Sequence, residues 1–317
     1  MTTGSRRMFL RRTSVLGAAV AATMAAPTAQ AASPSRAPTF VLIHGNSSTE
    51  FFWSPLVREL ALRGHRSIAA QLPGHGVQAE LSTAYQAPQR LGAYATEPSR
   101  LADATLDDYA EPVIETVNRI HHHGPVVLVA HSLGGAVMHR VANAVPQLLH
   151  HLVYVDAVCC TGALATAFDC IDAPENRDYR RYPIPPGLGD PERSRITRNN
   201  WRTADRTFLD AYRAAAMAEA TDRELLVALN YFQQPDESAT VSFEDARGHP
   251  ASWGTVPRTY IRLDRDRLIT PPLQVRMIAD ADRLTPHNRF RVHHLDSSHL
   301  GITLRFPHLA DLLSLCV

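Results

Sequence analysis

Short apolar runs alternate along the chain with segments whose apolar residues follow a helical period. Residues 39–43, 126–130 and 151–155 are predominantly apolar and have the length of buried strands. Residues 54–62 and 105–120 carry apolar side chains at three- and four-residue spacing, which predicts amphipathic helices. This order of strands and helices is typical of an α/β fold, in which helices cover a mostly parallel sheet.

The predicted strand that begins at Val126 runs into a serine flanked by small residues. Ser132 stands two positions before Gly134, and a helical pattern follows. A serine on a sharp strand-to-helix turn is held in a strained backbone conformation that requires small neighbours. Ala130 stands where the Gly-x-Ser-x-Gly pattern has its first glycine, and its methyl group still permits a close approach of strand and helix. The pattern predicts Ser132 as a nucleophile; the alternative is a simple strand-to-helix turn.

The first predicted strand also ends in a turn. His44 and Gly45 follow it, and the glycine lets the loop cross in front of the nucleophile. The backbone N–H groups of Asn46 and Leu133 are candidates for an oxyanion hole, because both would face a carbonyl group bound at Ser132. Taken alone, the His-Gly pair indicates only a turn. The residues predicted to contact substrate are His44, Gly45, His131 and Leu300.

Two late predicted strands, residues 258–263 and 289–295, precede candidates for the remaining catalytic side chains. Asp264 and Asp266 follow the first strand, and either carboxylate could orient a histidine. His299 lies in the loop after the second strand. The chain therefore presents a serine, an acid and a histidine in that order.

Three motifs, in this order and at this spacing, resemble the α/β-hydrolase fold. They are His-Gly at 44–45, Leu-Pro-Gly-His-Gly at 72–76 and His-Ser-Leu-Gly-Gly at 131–135. Within that family the chain is similar to the plant-type esterase and hydroxynitrile lyase branch and its bacterial relatives. The resemblance implies a mostly parallel central sheet with helices on both faces and an inserted helical cap. The expected divisions are 32–156 for the first half of the core, 157–254 for the cap and 255–317 for the second half of the core.

The same resemblance implies which residues form the triad. The family places its acid a few residues before a proline that opens the next helix, which favours Asp266 over Asp264. The order Ser132, Asp266, His299 along the chain is the order that this fold uses. His299 would take the proton of Ser132 and later protonate the leaving group, while Asp266 orients the imidazole. This chemistry calls for no metal and no other cofactor.

The residues around the predicted site favour hydrolysis. Haloalkane dehalogenases and epoxide hydrolases of this fold use an aspartate where this chain has Ser132. In the hydroxynitrile lyases of the resembling branch, a threonine usually follows the first histidine and a lysine follows the catalytic one. This chain has Gly45 and Leu300 at those places, and it contains no lysine. We therefore expect a hydrolase that cleaves apolar carboxylic esters of small molecules through an acyl-enzyme intermediate; the sequence leaves the acyl length open. The alternatives are a lyase, cyclase or perhydrolase with the same triad, and a binding protein without activity.

Two further segments are expected near the substrate. Five aromatic residues of the cap can form an apolar roof over the site, or can simply pack the cap on the core. Residues 77–103 show no clear period, and a segment of this kind can line the entrance to a site. The five aromatic residues are Trp201, Phe208, Tyr212, Tyr231 and Phe232.

Composition excludes some classes of partner. The chain has 317 residues, 45% hydrophobic content and a net charge of +1. Because basic residues are not in excess, the composition does not indicate a nucleic-acid partner. Histidine runs at 121–123 and 150–151 are expected at solvated ends of elements rather than at a metal. Four cysteines allow three sets of disulfide pairs, among which the sequence does not choose. They are Cys159, Cys160, Cys170 and Cys316.

The amino-terminal residues resemble an export signal of the twin-arginine route. Arg6 and Arg7 precede an alanine-rich apolar stretch at 15–26, and an Ala-x-Ala sequence suits cleavage after Ala31. The apolar stretch is too short to span a bilayer comfortably. We therefore expect residues 1–31 to be removed, and the mature chain to be secreted without a membrane span.

Overall fold

The computed structural model describes residues 37–184, 187–232 and 235–316. The predicted export signal at 1–31 lies outside the described residues. Within them, six strands form a parallel sheet and two short strands form a separate antiparallel sheet. The strands are Thr39–Ile43 (β1), Arg66–Ala69 (β2), Val126–Ser132 (β3), His151–Ala157 (β4), Ile196–Arg198 (β5), Asp236–Ser238 (β6), Arg258–Leu263 (β7) and Arg291–Leu295 (β8).

The two helices predicted at 54–62 and 105–120 are confirmed. The second begins after Thr105, which caps it: the Thr105 hydroxyl accepts the N–H of Asp108, and the Asp108 carboxylate accepts the N–H of Thr105. In the described part of the chain, no helix is long and apolar enough to cross a membrane. The α-helices are Ser54–Leu62 (α1), Leu91–Tyr94 (α2), Leu106–Ile120 (α3), Gly134–Ala144 (α4), Ala167–Asp172 (α5), Pro191–Ser194 (α6), Arg206–Ala216 (α7), Asp222–Ala228 (α8), Pro271–Leu284 (α9) and Phe306–Ser314 (α10).

Successive side chains of each strand point to opposite faces of the large sheet. In β1, Val41 and Ile43 belong to one apolar core, and Phe40 and Leu42 belong to the other. Helices α3, α4 and α9 contribute to the first core, whereas α1 and α10 contribute to the second. The predicted arrangement, a mostly parallel sheet with helices on both faces, is confirmed.

The order of the strands places two of the predicted site loops side by side. The sheet runs β2-β1-β3-β4-β7-β8, so the chain returns after β2 and lays β3 on the other side of β1. In open parallel sheets, a reversal of this kind opens a crevice at the carboxyl ends of the two neighbouring strands. His44 follows β1 and Ser132 ends β3, so both lie at this crevice.

The segment between β4 and β7, where a helical cap was predicted, contains helices and also two short strands. Two of its helices are α7 and α8. The two strands are β5 and β6, which pair in antiparallel fashion with Ile196 opposite Ser238. Each of these strands has only three residues, which is too short to show a period. The hydrophobic pattern of the sequence therefore did not predict them.

None of residues 77–103 lines the cavity beside Ser132, so the structure does not bear out the expectation that this segment lines the entrance to the site. This segment forms short helical turns, including α2, and contacts the β5–β6 sheet. The Tyr94 hydroxyl donates to Oδ1 of Asp236 over 2.5 Å, and the Arg198 guanidinium donates to both the Tyr94 carbonyl oxygen and the Asp236 carboxylate. Because these groups are buried, their pairing holds the segment against the insertion.

The four cysteine residues are buried, and their thiols are free. The sulfur atoms of Cys160 and Cys170 lie 3.9 Å apart and are not bonded. The thiol of Cys316 contacts the Thr259 hydroxyl instead, at 3.8 Å. In this structure the core is therefore held by packing and hydrogen bonds, without disulfides among these residues.

Candidate active site

Ser132 lies at a turn whose backbone is strained. It ends β3 with a φ of 55°, in the left-handed region that residues other than glycine rarely adopt. Two glycines make room for this turn. A Cβ atom on Gly45 would lie 2.6 Å from Cβ of Ser132, and one on Gly134 would lie 2.7 Å from the carbonyl oxygen of His44. The close approach of the three backbone segments therefore requires glycine at both positions.

Helix α4 begins at Gly134, two residues after the predicted nucleophile. Gly135 lets the first turn of this helix approach the chain after β4, since a Cβ atom there would lie 2.0 Å from the carbonyl oxygen of Val158. The N–H groups at the start of a helix carry partial positive charge. Leu133, which precedes α4, and Asn46, in the loop after β1, line the same cavity as Ser132. The two predicted oxyanion-hole residues are thus brought to the predicted nucleophile.

The loop after β8 brings His299 to the carboxylate of Asp266. Nδ1 of His299 lies 2.5 Å from Oδ2 of Asp266, and both side chains are buried. Oδ1 of Asp266 accepts hydrogen bonds from the backbone N–H groups of Leu268 and Ile269, at 2.6 and 3.1 Å. The backbone thereby holds the carboxylate in place, and Nε2 is the ring nitrogen of His299 that remains to exchange a proton.

The charges of this pair shift both pKa values. Burial alone would raise the pKa of Asp266, but the charge of His299 and several hydrogen bonds outweigh burial and lower the pKa to about 2. Burial alone would lower the pKa of His299, but the charge of Asp266 outweighs burial and raises the pKa above its ordinary value of 6.5. The site therefore pairs an ionised acid with a histidine that holds its proton strongly.

Asp264, the alternative acid, lies elsewhere. Its carboxylate contacts Nδ1 of His294 at 2.9 Å, and both side chains are exposed. The turn after β7 thus separates the two candidate acids. Of the two, Asp266 is the one that meets His299.

The two histidines predicted to contact substrate lie in different surroundings. His131 lines the cavity, its ring stacks on Phe52 at 5.2 Å, and its Nε2 lies 3.2 Å from the carbonyl oxygen of His299. His44 does not line the cavity, because its buried ring packs against His75 beneath the loop. Burial, together with the nearby His75, lowers the pKa of His44 to about 3, so its ring is neutral. The structure therefore corrects the prediction for His44, which supports the loop rather than facing substrate.

Most of the predicted site residues line a cavity of about 670 Å³, and His44 and Asp266 do not. Gly45, Ser132, His299 and Leu300 line it, as do three of the five aromatic residues predicted to form a roof. These three are Trp201, Tyr212 and Phe232. The other two pack against neighbouring rings, Phe208 on Tyr212 and Tyr231 on Phe52.

A second acid, which the sequence pattern did not single out, also meets His299. Asp156 is the penultimate residue of β4, is fully buried, and has Oδ2 at 3.1 Å from Nδ1 of His299. An aspartate near the carboxyl end of a buried apolar strand was the available signal, since an acid is rarely buried without a partner. In the described part of the chain, Asp156, Asp266 and His299 form the one group of potential metal ligands whose atoms lie within 4.8 Å of one another. Hydrogen bonding among the three accounts for their closeness.

A buried ion pair lies beneath the loop after β1. Oε2 of Glu237, a residue of β6, accepts the N–H of Ser47 at 2.7 Å and lies 3.2 Å from Nε2 of His75. The Tyr109 hydroxyl donates to the other carboxylate oxygen. Burial alone would raise the pKa of Glu237, but the charge of His75 and these hydrogen bonds outweigh burial and lower it. The Glu237 carboxylate in turn raises the pKa of His75. Sequence reasoning missed this group because its members come from four separate segments.

The sequence profile of the alpha/beta hydrolase family matches residues 40–311. The chain belongs to the alpha/beta hydrolase family. The resemblance inferred from the motifs at 44–45, 72–76 and 131–135 is thereby confirmed. The parallel sheet, the turn at Ser132 and the loop that carries His299 all fall within the matched range.

Relatives of this hydrolase include esterases and a lyase. Methylesterase 18 of Arabidopsis thaliana is 25% identical over 248 residues, which cover 76% of this chain and 84% of the relative. An alpha-hydroxynitrile lyase of the same plant is 25% identical over 236 residues, which cover 73% of this chain and 80% of the relative. Among solved structures, an extracellular alpha/beta-hydrolase from a Paenibacillus species superposes with a TM-score of 0.61 and 20% identity, over 88% of this chain and 98% of that one.

Proposed function

We propose that this hydrolase cleaves carboxylic esters through an acyl-enzyme intermediate on Ser132. One observation carries the proposal: Ser132 and His299 line the same cavity, and Nδ1 of His299 contacts the buried carboxylate of Asp266. This arrangement supports the roles of nucleophile, general base and orienting acid. The esterases among the relatives point to the same bond type.

In the proposed reaction, Nε2 of His299 accepts the hydroxyl proton while Oγ of Ser132 attacks the ester carbonyl carbon. The N–H groups of Asn46 and Leu133 stabilise the negative oxygen of the tetrahedral intermediate. His299 then gives its proton to the departing alcohol, which leaves an acyl group on Ser132. A water molecule, deprotonated by His299, hydrolyses this acyl-enzyme and releases the carboxylic acid. Asp266 stabilises the imidazolium in both steps.

The lining of the cavity supports a bulky, largely apolar substrate. The rings of Trp201, Tyr212 and Phe232 and the side chain of Leu300 surround a volume of about 670 Å³, which exceeds the needs of an acetyl ester. Apolar groups make up most of the lining, and Ser47, Arg180 and Asn199 add polar groups able to orient a substrate. We propose an ester with an aromatic or branched group on the acyl or the alcohol side.

Non-hydrolytic use of the same residues is the second candidate, because a hydroxynitrile lyase is among the relatives. Leu300 follows His299 and lines the cavity, so the position after the histidine supplies no cation to bind a cyanide ion. This apolar surface supports hydrolysis over cyanohydrin cleavage.

A time course with 4-nitrophenyl butyrate tests the proposal. We expect rapid release of about one equivalent of nitrophenol per active site if deacylation is slow, and a butyryl group on Ser132 in the mass spectrum of quenched enzyme. Ser132→Ala lowers kcat by about 10³-fold or more. Undiminished turnover by Ser132→Ala contradicts the proposal, and cleavage of mandelonitrile without an acylated serine supports the lyase instead.

We further propose that the hydrolase is exported by the twin-arginine route and acts outside the cytoplasm. The paired arginines and the Ala-x-Ala sequence before residue 32 support this location.

A further inference from the structure

His299 contacts two carboxyl groups through one nitrogen. Nδ1 lies 2.5 Å from Oδ2 of Asp266 and 3.1 Å from Oδ2 of Asp156. Asp266 comes from the turn after β7, whereas Asp156 comes from the end of β4, the neighbouring strand of the sheet. The two acids therefore approach the same N–H group from adjacent strands.

Two buried carboxyl groups this close cannot both be ionised without a large cost, because like charges repel strongly where water is excluded. Backbone N–H groups of Leu268 and Ile269 donate to Asp266, which favours the negative charge there. Asp156 lacks such donors: its Oδ1 has no hydrogen-bond partner among the described residues. Burial, followed by the charge of Asp266, raises the pKa of Asp156, so this carboxyl group keeps its proton.

The backbone at Asp156 is strained as well. Its φ of 46° lies in the left-handed region, and its side chain is fully buried. Strain of this kind persists where the surrounding structure requires a side chain in one position. Packing alone does not require a carboxyl group here, since an apolar side chain would avoid the cost of an unpartnered oxygen.

We propose that Asp156 is a second positioning residue for His299. Asp156 shares one proton with Asp266, and it holds the imidazole when Asp266 carries no charge. This inference rests on the proposed triad. In the native enzyme the Asp156 carboxyl group donates its proton toward Asp266, and Asp266 carries the negative charge. When Asp266 is replaced by asparagine, Asp156 releases its proton to solvent water, and the resulting carboxylate accepts the Nδ1–H of His299 in place of Asp266.

Other titratable groups near the pair are neutral. His131 faces His299, and burial holds its pKa well below the usual value. Tyr260 lies near both acids, donates its hydroxyl to the carbonyl oxygen of Ala157, and has a pKa raised by burial. The single negative charge of the two acids therefore determines the protonation of His299.

The test compares Asp266→Asn, Asp156→Asn and the double variant by ester hydrolysis. Where a triad acid has no substitute, its replacement by asparagine lowers kcat by about 10⁴-fold. We expect Asp266→Asn to lose only about 10- to 100-fold, Asp156→Asn to lose about 3- to 10-fold, and the double variant to fall at least about 100-fold below Asp266→Asn. Asparagine tolerates a positive φ, so this substitution preserves the strained turn.

The pH profile of kcat/KM is a second measurement, which would not change if Asp156 had only a structural role. In Asp266→Asn the acid-side midpoint stays above 6.5, the ordinary His299 value, because one buried anion remains beside the ring. In the double variant the acid-side midpoint falls below 6.5, because burial then lowers the pKa of His299 without an opposing charge. Asp264 is an exposed acid two residues from Asp266, so Asp264→Asn is the matched control. It leaves both kcat and the pH profile of kcat/KM unchanged.

Equal activity and equal midpoints in Asp266→Asn and the double variant overturn the proposal. If Asp156→Asn unfolds the chain, the Nδ1 proton resonance of His299 in Asp266→Asn decides instead: a strongly downfield signal supports a remaining carboxylate partner, and its loss opposes one. Ser132→Ala distinguishes failure of the proposed function from failure of the role proposed for Asp156. Its full activity refutes the proposed function, whereas an inactive Ser132→Ala with equal acid variants refutes only the role of Asp156.

Discussion

The backbone N–H of Ser47 donates to Oε2 of Glu237 over 2.7 Å, although 190 positions separate the two residues in the sequence. Ser47 has a φ of 53° and directly follows Asn46, so the bond fixes a strained loop at the proposed oxyanion hole. The carboxylate belongs to the segment inserted between β4 and β7. The insertion thus helps to shape the loop that carries Asn46 in addition to lining the cavity.

We expect Glu237→Gln to lower kcat about 10-fold or more with a smaller change in KM, because a neutral amide holds the loop and His75 less firmly. Steady-state hydrolysis of 4-nitrophenyl butyrate measures both constants. Glu111→Gln changes an exposed acid of α3 in the same way and serves as the control. A Glu237→Gln enzyme with native kcat contradicts a role for this contact in catalysis.

The pH dependence of the reaction follows from the charge of Asp266. His299 must lose a proton before it can act as a base, and the neighbouring carboxylate raises its pKa above 6.5. Activity therefore rises with pH, and the midpoint of the acid side of the kcat/KM profile lies above 6.5. Rates measured from pH 5 to 10 test this. A midpoint at or below the ordinary histidine value counts against the paired arrangement.

Trp201 carries a buried hydrogen-bond donor on a residue that lines the cavity. Its ring lines the cavity, and its Nε1 has no partner among the described residues. We expect Trp201→Phe to raise KM about 3- to 10-fold for an aryl ester with an ether oxygen in its acyl chain, and to change it less for the hydrocarbon analogue.

A matched control exists for this substitution. The Nε1 of Trp53 also lacks a partner in the described chain, but Trp53 does not line the cavity. Trp53→Phe therefore leaves the KM ratio of the two esters at its native value. An identical ratio in Trp201→Phe shows that the indole N–H does not bind substrate.

Gly45 permits the contact between the loop after β1 and the nucleophile. A Cβ atom there would lie 2.6 Å from Cβ of Ser132, so Gly45→Ala must displace one of the two segments. We expect a loss of about 100-fold in kcat and a destabilisation of about 1 to 3 kcal/mol, measured by urea unfolding. Gly92→Ala, where nothing lies within 4 Å of the added methyl group, is expected to keep native activity.

Export can be tested on the secreted protein. We expect the mature chain in the culture medium to begin at Ala32, as determined by mass spectrometry of its amino-terminal peptide. Replacing Arg6 and Arg7 together by lysine retains the full-length chain inside the cell. Secretion of the double-lysine variant at the native level excludes the twin-arginine route.

The sequence alone determined most strands of the large sheet, helices α1 and α3, and the segments that meet at the site. Apolar runs and helical periods are local properties of the chain, and the motifs around Gly45 and Ser132 reflect backbone geometry that only small residues permit. The position of His299 after the last strand follows from the same order of elements. These features were predictable because each depends on neighbours in sequence.

Tertiary structure decided what depends on contacts between distant segments. It turned His44 toward the core, joined residues 77–103 to the β5–β6 sheet, and paired Asp264 with His294. It also brought Asp156 to His299 from an apolar strand that carries no catalytic motif. Burial and charge at such contacts arise only when the chain is folded, so no local pattern in the sequence records them.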